Sequence, residues 1–320
     1  MPYDRNRLSS AWTLLAGAMI LLASGCANQQ AQRGAAEVLL FSEIGNQFLQ
    51  DSVAVIEPDG ANFKLLLPRQ ANRSFLYAHG NSTDTHFLVI AHEIMPNNQM
   101  EDHLFIYVPR TGELNRLLSQ PGDAGFASFA PDYGRIAFGL VPPGQGGQVQ
   151  LWITDLAGQA RALTGAPNQL DEFPVWRPDG SEIWFLRVQF VAGKVDSSLM
   201  KIPPVGGNPT VVFGPSEHVG AVAFSPDNGR FAMWTPRGLE IVDASTLARN
   251  VVLPSSALPN LVLQAGSLAW SRRQDLLALA LVNTQTGASE LWTVATDGAN
   301  ARPIYHVSDG RLYLGAFVEQ

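Results

Sequence analysis

Three carboxylates recur in one short phrase. Asp132, Asp179 and Asp227 each follow a proline two residues beyond an aromatic, in Phe129-Ala130-Pro131-Asp132, Trp176-Arg177-Pro178-Asp179 and Phe224-Ser225-Pro226-Asp227. Carboxylates repeated at one level of a fold could hold a cation or carry protons. Their setting favours another role, because Asp between Pro and Gly bonds its own backbone two residues on and fixes a tight turn. Six histidines (His79, His86, His92, His103, His218 and His306) show no spacing that gathers them around one ion. The sequence contains no His-Glu-x-x-His, no P-loop, no Cys-based metal spacing and no Gly-x-Ser-x-Gly elbow. The expectation is therefore no catalytic residue, no metal and no cofactor.

The same aromatics define what positions these residues. Phe129, Trp176, Phe224, Trp270 and Phe317 are separated by 47, 48, 46 and 47 residues. A fixed period of this length marks a repeat architecture in which one supersecondary unit cannot bury its apolar faces alone. Short apolar runs follow each aromatic, such as Ile183-Trp184-Phe185-Leu186 and then Leu199-Met200-Lys201-Ile202, and turn residues bound them. Such runs read as strands, and the 29 Gly and 21 Pro suit many tight turns. Four antiparallel strands per repeat predict an all-β propeller. Two weaker copies precede Phe129, from Ser74 to Leu118 and from Val38 to Leu67, and the latter lacks a first strand. Leu312–Phe317 is a first strand with no blade after it. The expected fold is a six-bladed propeller of four-stranded blades, in which the C-terminal strand completes the first blade. In that ring Trp176 and Trp270 read as packing between blades. Asp171, Glu172 and His218 precede first strands and are the candidate residues for binding at the mouth of the central channel.

Residues 1–25 read as a signal peptide, with Arg5 and Arg7 ahead of an apolar run from Ala11 to Ala23. The run ends Leu22-Ala23-Ser24-Gly25-Cys26, which resembles the bacterial lipobox, where the Cys becomes the lipidated first residue. Cys26 is the only cysteine, so no disulfide competes for it. Residues 26–36 are a polar tether, whose ten residues after the Cys reach about 35 Å at most, and 37–320 form the propeller. Cleavage removes Asp4, Arg5 and Arg7 and takes the net charge from −7 to −8. That acidity argues against nucleic acid and against anionic membrane surfaces as electrostatic partners. Ala27 after the Cys resembles lipoproteins sorted to the outer membrane of Gram-negative bacteria, facing the periplasm, with palmitate among the attached chains.

Asp171–Arg187 with its Pro-Val-Trp-Arg-Pro-Asp-Gly core, and Leu151-Trp152-Ile153-Thr154-Asp155-Leu156-Ala157-Gly158 followed by Leu163-Thr164, resemble the repeat of TolB-type beta-propellers. The resemblance covers residues 37–320. It implies the propeller fold. Together with the lipobox, the leading reading is a non-catalytic interaction module of the cell envelope, anchored to the membrane through its N-terminal lipid and binding a protein partner. Two alternatives stand beside it. A polysaccharide- or peptidoglycan-binding lipoprotein would expose aromatics on one face. A channel-centred lyase or hydrolase would converge His, Asp or Arg side chains.

Overall fold

Among the described residues the alternating apolar runs bounded by Gly, Pro, Asn and Asp fold into twenty-four strands in six four-stranded antiparallel sheets. The computed structural model describes residues 37–319 apart from 46–50, 71, 81–84, 96–98, 120–121, 145–146 and 192–193. The expected signal peptide, Cys26 and the expected tether lie outside the described residues. Among the described residues, helical structure is confined to two three-residue 3-10 turns, Pro215–Glu217 and Ser255–Ala257. No described helix is long and apolar enough to cross a membrane.

Each sheet is one blade. The innermost strands of blades two to six are Arg73–Gly80, Asp123–Phe129, Gln169–Trp176, Ala221–Phe224 and Leu261–Trp270. The inner strand of blade one is Arg311–Glu319, which pairs antiparallel with Glu37–Ile44 from the opposite end of the sequence. Phe317 faces Leu39 and Leu40 faces Ala316 in that register. The inner strands contact one another in cyclic order, with blade one lying against both blade six and blade two. The six-blade count and the closure expected from the C-terminal strand are both observed.

The core lies in the seams between blades, one apolar cluster per seam. Because strand side chains alternate, Leu39 and Phe41 pack against Ala269, Ala278 and Ala280 of blade six, whereas Val38 and Leu40 pack against Phe75 and Val89 of blade two. Phe41 and Phe75 are fully buried. Burying such a side chain is worth about 1.5–3 kcal/mol. Polar groups reinforce the closing seam: Tyr305 donates to Glu43 at 2.9 Å, and Arg273 bonds Glu319 at 2.6 Å. One difference from the sequence reading is the second strand of blade four, which continues past Leu186 to Val191 and pairs with Lys194–Ile202. Arg187 and Gln189 interrupt the apolar run there, but cross-strand pairing holds the backbone extended.

Candidate functional site

The repeated carboxylates bond their own turns. Asp132 accepts the N–H of Gly134 at 3.0 Å, Asp179 that of Ser181 at 2.9 Å, and Asp227 that of Gly229 at 3.0 Å. The Ser225 hydroxyl and this N–H hold the Asp227 carboxyl below its ordinary pKa. The aromatics that precede these turns are locked between blades. Trp176 donates its indole N–H to the Ser128 carbonyl at 3.3 Å. Arg135 covers the Trp176 ring at 5.0 Å, Arg177 covers Phe224 at 5.9 Å, and Arg230 covers Trp270 at 5.4 Å. Each arginine belongs to the blade before the ring it covers. The two indoles are only 6% and 7% exposed.

At the face carrying these turns the channel opens into a cup of about 420 Å³, to which all six blades contribute. Phe129, Trp176, Phe224, Trp270 and Phe317 form its wall, and Pro131, Pro178, Pro226 and Arg272 its rim. Lower down, rings from four blades meet across the channel. Phe126 lies 4.9 Å from Tyr77, 4.1 Å from Phe173 and 5.7 Å from Tyr313. A bulge in the inner strand puts Phe126 and Phe173 there, since pairing in blades three and four skips from Ala124 to Ala127 and from Glu172 to Val175. Bulges turn a side chain away from the strict alternation of a strand. Phe173 carries a φ of 53° and reaches to blade six, where a Cβ on Gly266 would sit 1.9 Å from the ring. Only glycine leaves that space. Sequence inspection passed over this floor, although Phe126, Phe173, Gly220, Gly266 and Tyr313 recur every 47, 47, 46 and 47 residues.

The wall has one gap. Gly80 pairs with Phe87 in blade two as Trp176 pairs with Ile183 in blade four, so it occupies the position that an aromatic holds in the other blades. Val318 of blade one fills the space beside it. Next to Gly80 stands His79, and Ser128 holds the equivalent position in blade three; both line the cup. The Ser128 hydroxyl, in a residue 4% exposed, and His79 Nδ1 are buried without a hydrogen-bond partner among the described residues. Burial, aided by the charge of Arg272, lowers the His79 pKa to about 4. Neutral at pH 7, this imidazole offers one donor and one acceptor.

Arg272 arises where the turn phrase is lost, in Trp270-Ser271-Arg272-Arg273-Gln274. Glu37 takes over from the missing Asp: the Ser271 hydroxyl donates to its carboxylate, and the Arg272 backbone N–H does so at 2.9 Å. The Arg272 guanidinium crosses the mouth of the cup to the Tyr133 hydroxyl of blade three, 2.9 Å away. No carboxylate among the described residues forms an ion pair with it. Neither Arg272 nor His79 was singled out from the sequence, because each sits where the repeat is degenerate.

The three channel-mouth candidates do not converge. Asp171 is fully buried and bonded to Arg187 of the neighbouring strand by two contacts, of 2.7 and 2.9 Å. Glu172 neighbours Tyr313 at the floor; burial and the charge of Asp171 push its pKa up. His218 is exposed and ends the Pro215–Glu217 turn at a φ of 47°. None of the three lines the cup. Among the described residues no group of three or more His, Cys, Asp or Glu is placed to hold a metal ion.

No protein-family model and no curated protein matches the sequence. Solved structures do match the fold. A putative TolB from Agrobacterium tumefaciens superposes with a TM-score of 0.61 at 11% identity, over 86% of this chain and 91% of that one. TolB from Acinetobacter baumannii gives 0.64 at 17% identity, over 87% of this chain and 66% of that one. Hydrazine synthase from Kuenenia stuttgartiensis gives 0.67 at 10% identity, over 89% of this chain and 47% of that one. At such identities the likeness is one of fold, and the presence of an enzyme chain among these structures means that the fold does not decide between catalysis and binding. The chain is a six-bladed beta-propeller whose fold is similar to that of TolB structures.

Proposed function

We propose that the chain is a lipid-tethered, non-catalytic interaction module of the bacterial cell envelope, which receives a protein partner on the face bearing the cup. The observation that carries this reading is the cup itself: a concave, aromatic-walled site with unpaired donors, framed by turns that bond their own backbone. Rigid strands with a concave site at one end suit recognition. Glu37, where the tether joins, is bonded to the Ser271–Arg272 turn at the rim.

The polysaccharide alternative draws less support. Arginines cover the Trp176 and Trp270 rings, and no described Trp or Tyr is fully exposed. The enzymatic alternative finds His79, Ser128 and Arg272 together, but the described residues lining the cup include no carboxylate. Its described groups offer donors and shape rather than a carboxylate acid–base pair.

Anchoring through Cys26, with outer-membrane placement facing the periplasm, completes the proposal. Cys26→Ser should release the protein from membrane fractions, because stable anchoring needs more than one acyl chain. Affinity capture from envelope extracts with the lipidated full chain should retain one partner, and Arg272→Gln should weaken that retention. Capture that is indifferent to Arg272, or membrane fractionation unchanged by Cys26→Ser after a high-salt wash, would refute the corresponding half.

A further inference from the structure

Among the described residues the cup is lined by the polar side chains of Tyr77, His79, Ser128 and Arg272 beside its aromatic wall, and two of these carry a buried atom without a hydrogen-bond partner. Ser128 and His79 sit at matching positions on adjacent inner strands, with the Ser128 hydroxyl and His79 Nδ1 buried without partners among the described residues. Buried polar groups in folded proteins are nearly always bonded, so an unpaired pair lining one cavity calls for a polar ligand that bonds them. From the opposite side, Arg272 extends over the mouth with the Tyr133 hydroxyl as its side-chain acceptor. A guanidinium has five N–H donors in a planar fork, which leaves most of them free for a ligand.

We infer that the cup is a binding site for a single carboxylate carried on an apolar stem, with Arg272, Ser128 and His79 holding the carboxylate and the aromatic wall holding the stem. This rests on the reading of the cup as the receiving site and names the chemistry it receives. The sign of the charge follows from Arg272, the one guanidinium among the described lining residues, which include no carboxylate. One cation matches one negative charge rather than a dianion, and a carboxylate can accept both arms of the guanidinium fork. The stem follows from the wall of Phe129, Trp176, Phe224 and Trp270, and 420 Å³ lies at the lower end of the range of small-ligand cavities, about 300–1,000 Å³. A sugar fits poorly, because the indole faces on which it would stack are covered by Arg135 and Arg230. The neutral His79 adds no competing charge in the free state, and an anion beside it would raise its pKa.

The carboxylate has two sources, a free organic acid or the C-terminus of a polypeptide. The experiment uses the mature lipidated chain in detergent. Calorimetry compares N-acetylphenylalanine with its amide, and a pentapeptide ending in phenylalanine with its C-terminally amidated form. The free acids should bind at least about tenfold more tightly than the amides. Arg272→Gln and Ser128→Ala should each weaken acid binding without shifting Tm, whereas Tyr133→Phe, which frees Arg272, should leave it equal or tighter. The imidazole signals of His79 should report a raised pKa in the complex. Binding of both acids fits a polypeptide terminus, and binding of N-acetylphenylalanine alone fits a free organic acid. Equal binding of acid and amide, indifference to Arg272→Gln, or no binding up to roughly 10 mM would overturn the inference. An acid that binds without displacing the envelope partner leaves this site standing and removes the partner from the cup. A partner captured through the cup face with no acid binding does the reverse.

Discussion

Deleting residues 311–320 removes the strand that closes the ring. In the folded protein Leu312, Leu314, Phe317 and Val318 are each no more than 4% exposed, and they pack into the seams on both sides of blade one. At about 1.5–3 kcal/mol for each large apolar side chain, their loss removes about 6–12 kcal/mol. Residual burial in the unfolded chain lowers that by about 10–40%. A domain is typically stable by only about 5–15 kcal/mol, so the truncated chain should be unfolded or barely folded at room temperature. The deletion also strips the partner from Glu37–Ile44, whose Val-Leu-Leu-Phe edge would then template aggregation. Phe317→Ala is the milder form and should cost about 3–5 kcal/mol while keeping the fold. Circular dichroism melts with light scattering read both. A truncated chain that melts with the full-length protein and stays monomeric would refute the closure and the reasoning built on it.

Gly180 adopts a φ of 71° in the turn of blade four, so Gly180→Val should cost about 1–2 kcal/mol in urea unfolding. Asp179→Asn should cost less, since Asn forms the same turn bond; loss of partner binding at unchanged stability would instead mark Asp179 as functional. His79 has a pKa of 6.5 unfolded and about 4 folded. Its stabilising contribution is therefore complete above pH 6.5 and is lost as the pH falls to 4, because only the unfolded chain takes up the proton in that window. The loss amounts to at most about 3 kcal/mol, less in proportion to the ring's contact with solvent, and His79→Gln should flatten this part of the stability profile. Asp171→Ala should cost about 3–5 kcal/mol by stranding the partly buried Arg187. A change within a few tenths would mean that the pair is not structural.

Residue spacing revealed the ring because a propeller repeats its inner-strand aromatic at fixed distance, and Phe129, Trp176, Phe224, Trp270 and Phe317 all kept it. Closure was readable because the Val38–Phe41 run lacked a first strand while Leu312–Phe317 lacked a blade. The cup was hidden for three physical reasons. A bulge breaks the two-residue alternation, so Phe126 and Phe173 point into the channel against the parity of their strands. His79 and Arg272 sit where two copies depart from the repeat, Gly80 replacing the aromatic in one and Glu37 the turn Asp in the other. Asp171 looked available because its partner, Arg187, lies sixteen residues away across a hairpin.

The most direct test of the central proposal is site-specific photo-crosslinking in intact cells. A benzophenone side chain replaces Gln274, exposed beside the rim of the cup, or Phe190, exposed near the tip of the blade-four hairpin on the opposite face. A discrete protein adduct from position 274 and none from position 190 is the expected result. An adduct from position 190 alone, or none from position 274, would contradict the assignment of the cup face as the receiving surface.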